Sequence, residues 1–343
     1  MRTDLAIVGG GIAGHMIATQ FAAADPHAGV VLVERDLPGS GATARSAGAH
    51  FPLGRTAAVR AMSLESQRFY EAEAARRPGF PIRKLPMRVH CAPDREAWLL
   101  GLFTEDAALR PDWNAAPGCA AWSVTGAHQA DVRAVVDTLR RDLPDRVTTL
   151  NGIRVVAVTE QTNGVRLDCS DGQSIQADRV VLAPGPWALA PEFAALTEPF
   201  GLRIKRVIAF EVAEADRDCL DLFIEDDAFL MPHPAGPNTL FSITSNTWDV
   251  NPATVGQGAT AVDRTIAERV LARVAPHMQG TLRGARVFCD AYSPDRIPVV
   301  QRVGQSGRIV FTGGANGSGY RLAPSMATRT LEQLSMHHQA EII

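Results

Sequence analysis

The chain has 343 residues, of which 46% are hydrophobic and 21% charged, with a formal net charge of −3. Domains usually have about 100–200 residues, so this length predicts two of them. The charge excludes a broad basic surface for nucleic acid, and no apolar run of about 20 residues predicts a membrane span. The start of the chain has no signal-peptide pattern, so we expect a cytoplasmic protein.

The first predicted elements form a strand, a glycine turn, a helix and a second strand. An apolar strand at residues 5–8 leads into Gly9-x-Gly11-x-x-Gly14, and a helix follows at 15–24. The next apolar strand, residues 30–33, ends at Glu34, which lies 20 residues after Gly14 (34 − 14). This order is typical of a βαβ dinucleotide site.

Each residue of that pattern has a physical role. Gly9 permits the tight turn, Gly11 lets the backbone approach a pyrophosphate, and Gly14 lets helix and strand pack closely. The N-terminus of the helix offers N–H groups and partial positive charge to the phosphates. Glu34 is predicted to bind a ribose hydroxyl and to repel a 2′-phosphate, which disfavours NADP. The motif alone does not separate FAD from NAD.

The remaining elements continue the alternation of strands and helices. We predict a loop at residues 38–48, helices at 56–75, 130–143, 263–275 and 322–336, short strands within 87–127, strands at 155–159, 165–169, 180–183 and 308–312, and a largely antiparallel sheet over 204–248. The five cysteines are scattered and form no CxxC pair, so reduced thiols and no metal site are expected.

Three further stretches carry a family resemblance. Residues 41–48 (GATARSAG), 179–187 (RVVLAPGPW) and 313–324 (GGANGSGYRLAP) resemble blocks of the D-amino acid oxidase superfamily of flavoenzymes, and within it the glycine oxidase, D-arginine dehydrogenase and sarcosine oxidase branch. The resemblance implies non-covalent FAD, although Cys289 lies one position from a spacing at which sarcosine oxidases attach flavin. It implies an α/β fold with a discontinuous Rossmann-like FAD-binding domain and an α+β substrate domain with a mainly antiparallel sheet.

The implied boundaries are 1–80, 128–200 and 290–343 for the FAD-binding domain, and 81–127 and 201–289 for the substrate domain. The resemblance assigns the cofactor to six short segments along the chain. The implied contacts are Gly9, Gly11, Ile12, Ala13, Gly14, Glu34, Arg35, Thr43, Ala44, Arg45, Ser46, Val155, Ala183, Gly185, Trp187, Gly314, Gly317, Ser318, Gly319, Tyr320 and Arg321.

Two arginines are candidates for binding a substrate carboxylate. Gly284-Ala285-Arg286 resembles the family's GLR, whose arginine holds the carboxylate bidentately, but extra residues precede Asp295 here. Arg321 stands where the sarcosine oxidase branch has a basic residue, and for both arginines a structural ion pair is the alternative. If the strand is regular, Arg286, Phe288 and Asp290 share one face.

Two further residues are weaker candidates for the substrate pocket. His50 lies one residue from the position of an active-site histidine in D-arginine dehydrogenase, and a structural histidine is an equal alternative. Met231 is a candidate apolar wall, with a core methionine as the default interpretation. Leu230 replaces a tyrosine of many relatives and would suit an apolar substituent on the substrate.

The implied reaction is oxidation of a C–N bond beside a carboxylate, with hydride transfer to flavin N5 and hydrolysis of the imine. The substrate would be a D-amino acid, glycine or an N-substituted glycine, a class that includes N-carboxymethyl amines. The electron acceptor would be oxygen or a quinone. A quinone-linked D-amino acid dehydrogenase is one alternative. Alternatives of another class are an NAD-dependent reductase, which would need a second GxGxxG, and a flavin-binding protein without catalysis.

Overall fold

The computed structural model describes residues 1–213, 217–234, 236–256 and 258–340, with side chains described to residue 335. Over this part of the chain the helices are α1 (Ile12–Ala24), α2 (Ala42–Arg45), α3 (Ala57–Arg76), α4 (Glu96–Leu100), α5 (Val132–Arg141), α6 (Pro191–Thr197), α7 (Ala261–Val274) and α8 (Gly319–Ala340). Within the same residues no helix combines the length and the apolar character needed to cross a membrane.

The strands of the first half are β1 (Arg2–Val8), β2 (Val30–Glu34), β3 (Ala49–His50), β4 (Ile82–Lys84), β5 (Met87–Cys91), β6 (Leu109–Asp112), β7 (Ala120–Val124), β8 (His128–Ala130), β9 (Val147–Asn151) and β10 (Val155–Gln161). Those of the second half are β11 (Gly164–Cys169), β12 (Ser174–Leu182), β13 (Arg203–Val212), β14 (Leu220–Phe223), β15 (Ala228–Pro232), β16 (Thr239–Ile243), β17 (Leu282–Tyr292), β18 (Val299–Val303) and β19 (Ile309–Gly313).

The chain divides into two compact units. The first unit comprises residues 1–44, 132–204 and the segment from Asp290 onward, and the second comprises 45–131 and 205–289. The predicted breaks at 128, 201 and 290 lie within four residues of these limits. Residues 45–80, which the sequence assigns to the first domain, cluster with the second unit, because Tyr70 on α3 packs against the rings of His50 and His128.

The first unit is built on a parallel sheet, which confirms the predicted Rossmann-like fold. Strands β19, β12, β1, β2 and β9 are neighbours in that order and all run parallel. The first half of β12 also pairs antiparallel with β11, and β10 completes that hairpin. Helix α1 packs against α5 and α8. Sequence reasoning missed β9, because its Thr148 and Thr149 interrupt the apolar pattern that marks the other parallel strands.

The second unit contains the predicted, largely antiparallel sheet. Its order is β17-β13-β16-β15-β14-β5-β7-β6, and β14 and β5 form its one parallel pair among the pairings described. Helix α7 covers one face through Ala267 and Leu271. A second apolar cluster on this sheet contains Val89, Leu220 and Met231. The small sheet β3-β8-β4 completes the unit.

Candidate active site

The N-terminal glycine turn, residues 9–14, is fixed by two close backbone approaches. Gly9 has φ +110°, and a Cβ there would lie 2.2 Å from the carbonyl oxygen of Ala183. A Cβ on Gly14 would lie 1.9 Å from the carbonyl oxygen of Gly9. Both approaches are between backbone atoms and cannot be relieved by rotating a side chain. Glycine is therefore required at these two positions for steric reasons.

The N-terminus of α1 opens beside Gly11 and Thr43. Gly11 is the N-cap residue, and the Ile12 N–H donates a 3.0 Å hydrogen bond to Thr43 Oγ1. Ala13 follows in the first turn of the same helix. A side chain on Gly11 would project toward that hydroxyl, at 3.2 Å. This combination of helix terminus, hydroxyl and glycine suits a phosphate group.

Glu34 bridges the end of β2 to the glycine turn. Its Oε2 accepts a 2.7 Å hydrogen bond from the Gly10 N–H, and its Oε1 accepts a 2.8 Å bond from the Asp36 N–H. The side chain is buried, and desolvation raises its pKa although both N–H donors oppose that rise. An ionised carboxylate has about four lone-pair positions, so both oxygens keep capacity for ribose hydroxyls.

The same cavity continues past Glu34 to an arginine–tryptophan stack. The guanidinium carbon of Arg35 lies 3.5 Å from the ring centroid of Trp187. Gly11, Glu34, Val155 and Trp187 all line this cavity, together with Ala183 and Gly185 from the end of β12. The cavity therefore offers the N-terminus of α1 for phosphate, Glu34 for ribose and the stacked side chains of Arg35 and Trp187 as a wall, and these groups fit the ADP half of FAD. Ala44 follows Thr43 on the short helix α2.

The C-terminal glycine loop, residues 314–318, joins β19 to α8. Gly314, Asn316 and Gly317 have φ values of +63°, +57° and +75°. A Cβ on Gly317 would lie 2.9 Å from Tyr292 Oη, whereas one on Gly319 would have no heavy atom of the described residues within 4 Å, apart from its chain neighbours and its own helix backbone. Ser318 closes the loop, since its N–H donates to the Ala315 carbonyl at 2.9 Å. The helix thus begins three residues before the predicted position, within the glycine-rich stretch.

A carboxylate that sequence reasoning did not assign to the site holds this loop. Asp290 Oδ2 accepts a 2.9 Å hydrogen bond from the Gly317 N–H, and Oδ1 accepts one of 2.9 Å from the Ala291 N–H. Desolvation raises the pKa of Asp290 to about 6, against the opposing effect of the two donors. The only sequence signal was its alternation with Arg286 and Phe288, and this says nothing of a partner 27 residues away.

Arg321 lies in the first turn of α8 and is buried. Its Nη2 donates a 2.8 Å hydrogen bond to Ser318 Oγ, so the guanidinium is tied to the glycine loop. Burial lowers its pKa to about 10, which still leaves it charged at neutral pH. The neighbouring Tyr320 is buried, and desolvation raises its pKa well above the ordinary value.

The second candidate cation, Arg286, lies in the second unit. Its Nη2 hydrogen-bonds His233 Nε2, and its Nη1 donates a 3.4 Å bond to the Ser46 carbonyl oxygen. Burial lowers the pKa of Arg286, with Glu211 opposing, and burial and the charge of Arg286 together lower the pKa of His233. Arg45, the last residue of α2, and Ser46 belong to the second unit and not, as predicted, to the unit that holds Thr43.

The other predicted substrate contacts lie in packed interior. His50 has no exposed surface and stacks on His128 with ring centroids 4.5 Å apart. Met231 is fully buried in the apolar cluster with Val89. Leu230 packs on the opposite face of the sheet, beneath α7, so it gives no support for a lipophilic substituent. Burial of this kind is what the structural alternatives expect, and the roles of His50 and Met231 as substrate contacts stay predictions.

Comparison with known proteins places this geometry in a family. Residues 4–333 match the model of the DAO family, described as FAD dependent oxidoreductase. No curated protein sequence matches the chain significantly. Among solved structures, L-proline dehydrogenase from P. horikoshii has a TM-score of 0.84 and 16% identity, covering 98% of this chain and 94% of its own.

Two other structures extend the comparison. Glycine oxidase from Geobacillus kaustophilus has a TM-score of 0.79 and 17% identity, covering 98% of this chain and 95% of its own. L-alpha-glycerophosphate oxidase from Mycoplasma pneumoniae, with FAD bound, has a TM-score of 0.82 and 15% identity, with coverages of 98% and 95%. The family match over nearly the whole length shows that this chain belongs to the DAO family of FAD-dependent oxidoreductases.

Proposed function

We propose that this protein oxidises the C–N bond of an amine that stands beside a carboxylate, in a D-amino acid, glycine or an N-substituted glycine. The observation that carries the proposal is the environment of Arg286. This half-buried guanidinium makes its described hydrogen bonds to an imidazole and a backbone carbonyl. Among the residues that the structure describes, it forms no ion pair within 4.0 Å.

A half-buried guanidinium with neutral partners favours an external anion. Two parallel N–H donors match the two oxygens of a carboxylate, which gives both attraction and orientation. His233 accepts from Arg286 as a neutral imidazole, in keeping with its lowered pKa, and so adds no negative charge of its own. The carboxylates of Glu211 and Asp131 offset the guanidinium charge in part, since both act to raise the pKa of Arg286. Glu211 Oε1 lies 3.8 Å from His233 Nε2, the ring nitrogen that also bonds Arg286.

The chain's own residues bind and orient, while bound FAD supplies the hydride acceptor. Arg286 would fix the carboxylate, and so limit the positions that the adjacent C–H bond can take. The N-terminal turn of α8 would stabilise negative charge on the flavin that has accepted hydride, by roughly 0.3–1 kcal/mol for each favourable charge–dipole contact. The imine product hydrolyses in water, and an N-carboxymethyl amine would give glyoxylate and a free amine.

Several structural neighbours are named for this class of reaction. They include L-proline dehydrogenase, glycine oxidase and an L-amino acid deaminase from Proteus vulgaris. The amadoriase of Aspergillus fumigatus is named as a fructosyl amine:oxygen oxidoreductase. These names support a C–N bond as the target, although the similar glycerophosphate oxidase is named for a substrate that has no such bond. Both oxygen and a quinone stay open as the acceptor. Oxygen consumption, measured with and without a soluble quinone, separates an oxidase from a dehydrogenase.

An anaerobic screen of D-amino acids, sarcosine and N-carboxymethyl amines tests the proposal. The holoenzyme is mixed with each compound and flavin absorbance is followed. We expect bleaching by at least one amine that carries an adjacent carboxylate, and none by the matching amine without it. Bleaching only by amines that lack a carboxylate, or by none of these compounds, contradicts the proposal.

Arg286→Ala should raise KM for the bleaching substrate about 100-fold, because losing one partner of a desolvated charge pair costs about 3 kcal/mol. Arg283→Ala, an exposed arginine on the same strand, is the matched control and should leave KM unchanged. Arg321→Ala distinguishes the two candidates. A large rise in KM for Arg321→Ala with none for Arg286→Ala would assign the carboxylate site to Arg321 instead. An unchanged KM in both variants would contradict a carboxylate site at either arginine.

A further inference from the structure

The carboxylate of Asp290 is divided between two backbone donors on different segments. Oδ1 bonds the N–H of its own neighbour, Ala291, near the end of β17, and Oδ2 reaches the N–H of Gly317 in the C-terminal glycine loop. Both distances are 2.9 Å, in the range of charge-assisted hydrogen bonds. This side chain therefore joins the end of the strand to the turn before α8.

The same two segments are joined at further points. The Asn316 N–H donates to the Ala291 carbonyl at 3.2 Å, and Asn316 Oδ1 accepts from the Ser293 N–H at 3.0 Å. Asn316 and Gly317 are both left-handed. Consecutive residues in such turns point successive N–H groups to one side and form an anion-binding concavity. The Asp290 carboxylate, an anion of the protein itself, accepts a hydrogen bond from one of these groups, the Gly317 N–H.

We propose that Asp290 is a positioning residue that holds the C-terminal glycine loop through Gly317, and that its charge makes bound flavin harder to reduce. The inference rests on the proposed role of this loop as a flavin contact. Reduction of flavin places negative charge on the ring system. A carboxylate in the supporting loop opposes that charge, whereas the loop N–H groups and Arg321 favour it.

The ionisable side chains nearest along the adjoining segments are Tyr320 and Arg321 on α8, and Asp295 and Arg296 in the turn after β17. Strand β17 itself carries Cys289 and Tyr292 beside Asp290, and Arg286 on the same strand face. Arg321, with a pKa of about 10, stays charged between pH 5 and 8, and Tyr320, with a raised pKa, stays neutral. Asp290, with a pKa of about 6, changes charge within this interval. It is ionised toward pH 8 and protonated toward pH 5.

The test is the equilibrium between holoenzyme flavin and a redox dye, measured anaerobically from pH 5 to 8 for wild type and Asp290→Asn. At pH 8 we expect the variant to shift the equilibrium about tenfold toward reduced flavin, because a neutral amide replaces a carboxylate. The ratio between variant and wild type should fall toward one at pH 5, where the wild-type carboxyl is already protonated. Asp295→Asn, an exposed aspartate of the next turn, is the control and should follow wild type.

The inference is overturned if the ratio between variant and wild type stays at one over the whole pH range. It is also overturned if the ratio differs from one by the same factor at every pH. Melting of the apoproteins shows whether Asp290→Asn is folded, and Asp290→Ser, which removes the charge and keeps a hydroxyl acceptor, replaces it if it is not. Failure of the proposed function has a different signature. In that case the holoenzyme is not bleached by any carboxylate-bearing amine, although the dye equilibrium still responds to the variant.

Discussion

Two strand-to-helix turns of the first unit use the same device in different ways. In the N-terminal turn the Gly10 N–H donates to Glu34 at 2.7 Å, and in the C-terminal loop the Gly317 N–H donates to Asp290 at 2.9 Å. The first turn also leaves no room for side chains, since a Cβ on Gly14 or Gly9 would lie 1.9 or 2.2 Å from a backbone carbonyl oxygen. The second is held by side chains, while Gly319 faces open space.

This difference distinguishes glycines that protein packing requires from a glycine that it does not require. Gly9 and Gly14 are required by the polypeptide itself, whether or not a cofactor is bound. A Cβ on Gly319 would meet no heavy atom of the described residues within 4 Å, apart from its chain neighbours and the backbone of its own helix, so packing within this part of the chain does not require glycine there. We propose that close approach of the cofactor favours it. Substitutions at Gly14, Glu34 and Gly319 test whether each turn depends on the polypeptide or on the cofactor.

Gly14→Ala should abolish FAD binding. The added methyl group would meet the Gly9 carbonyl oxygen at 1.9 Å, so the turn and the start of α1 must move apart. Titration of the apoprotein with FAD, followed by flavin fluorescence, measures the loss. Gly256→Ala, where a Cβ meets nothing within 4 Å, is the control. Normal FAD affinity in Gly14→Ala would show that the turn is not the binding element.

Glu34→Gln should weaken FAD binding about tenfold. The amide keeps one acceptor oxygen but loses the charge, and a hydrogen bond to a charged group contributes roughly 1.5–3 kcal/mol. At least one of the bonds from Gly10 and Asp36 is lost together with part of the ribose contact. Calorimetric titration with FAD gives the affinity, and Glu198→Gln, an exposed site in the same unit, is the control. An unchanged affinity would speak against the ribose role.

Gly319→Ala should leave the apoprotein as stable as wild type or slightly more so, because alanine favours a helix by roughly 0.8–1.0 kcal/mol over glycine. Its effect should appear only with the cofactor, as a loss of FAD affinity of a few-fold. Thermal melting of the apoprotein and FAD titration give the two quantities. A destabilised apoprotein with normal FAD affinity would reverse the interpretation of this glycine.

The sequence predicted the first turn better than the second for a physical reason. Gly9, Gly11, Gly14 and Glu34 lie within 26 residues (34 − 9 + 1), and their roles follow from local backbone geometry. The hydrogen bond that holds the C-terminal loop depends on Asp290, a side chain 27 residues before its partner Gly317. Spacing along the chain carries no information about such a contact.

The second unit shows the same limit. Its antiparallel sheet and α7 follow from alternation and from apolar periodicity, and both were predicted. The assignment of residues 45–80 depended on where α3 packs, which the ring contacts of Tyr70 decide. The neighbourhood of Arg286 combines residues from three distant stretches, Ser46, His233 and Glu211, so the sequence named the arginine without its partners.

We propose that the N-terminal turn holds the ADP half of FAD and the C-terminal loop holds its flavin half. Titration of wild type, Gly14→Ala and Gly319→Ala with both FAD and ADP separates the two contacts. We expect Gly14→Ala to lose affinity for both ligands, whereas Gly319→Ala should bind ADP as wild type does and bind FAD more weakly. Equal losses of ADP and FAD affinity in Gly319→Ala would contradict it.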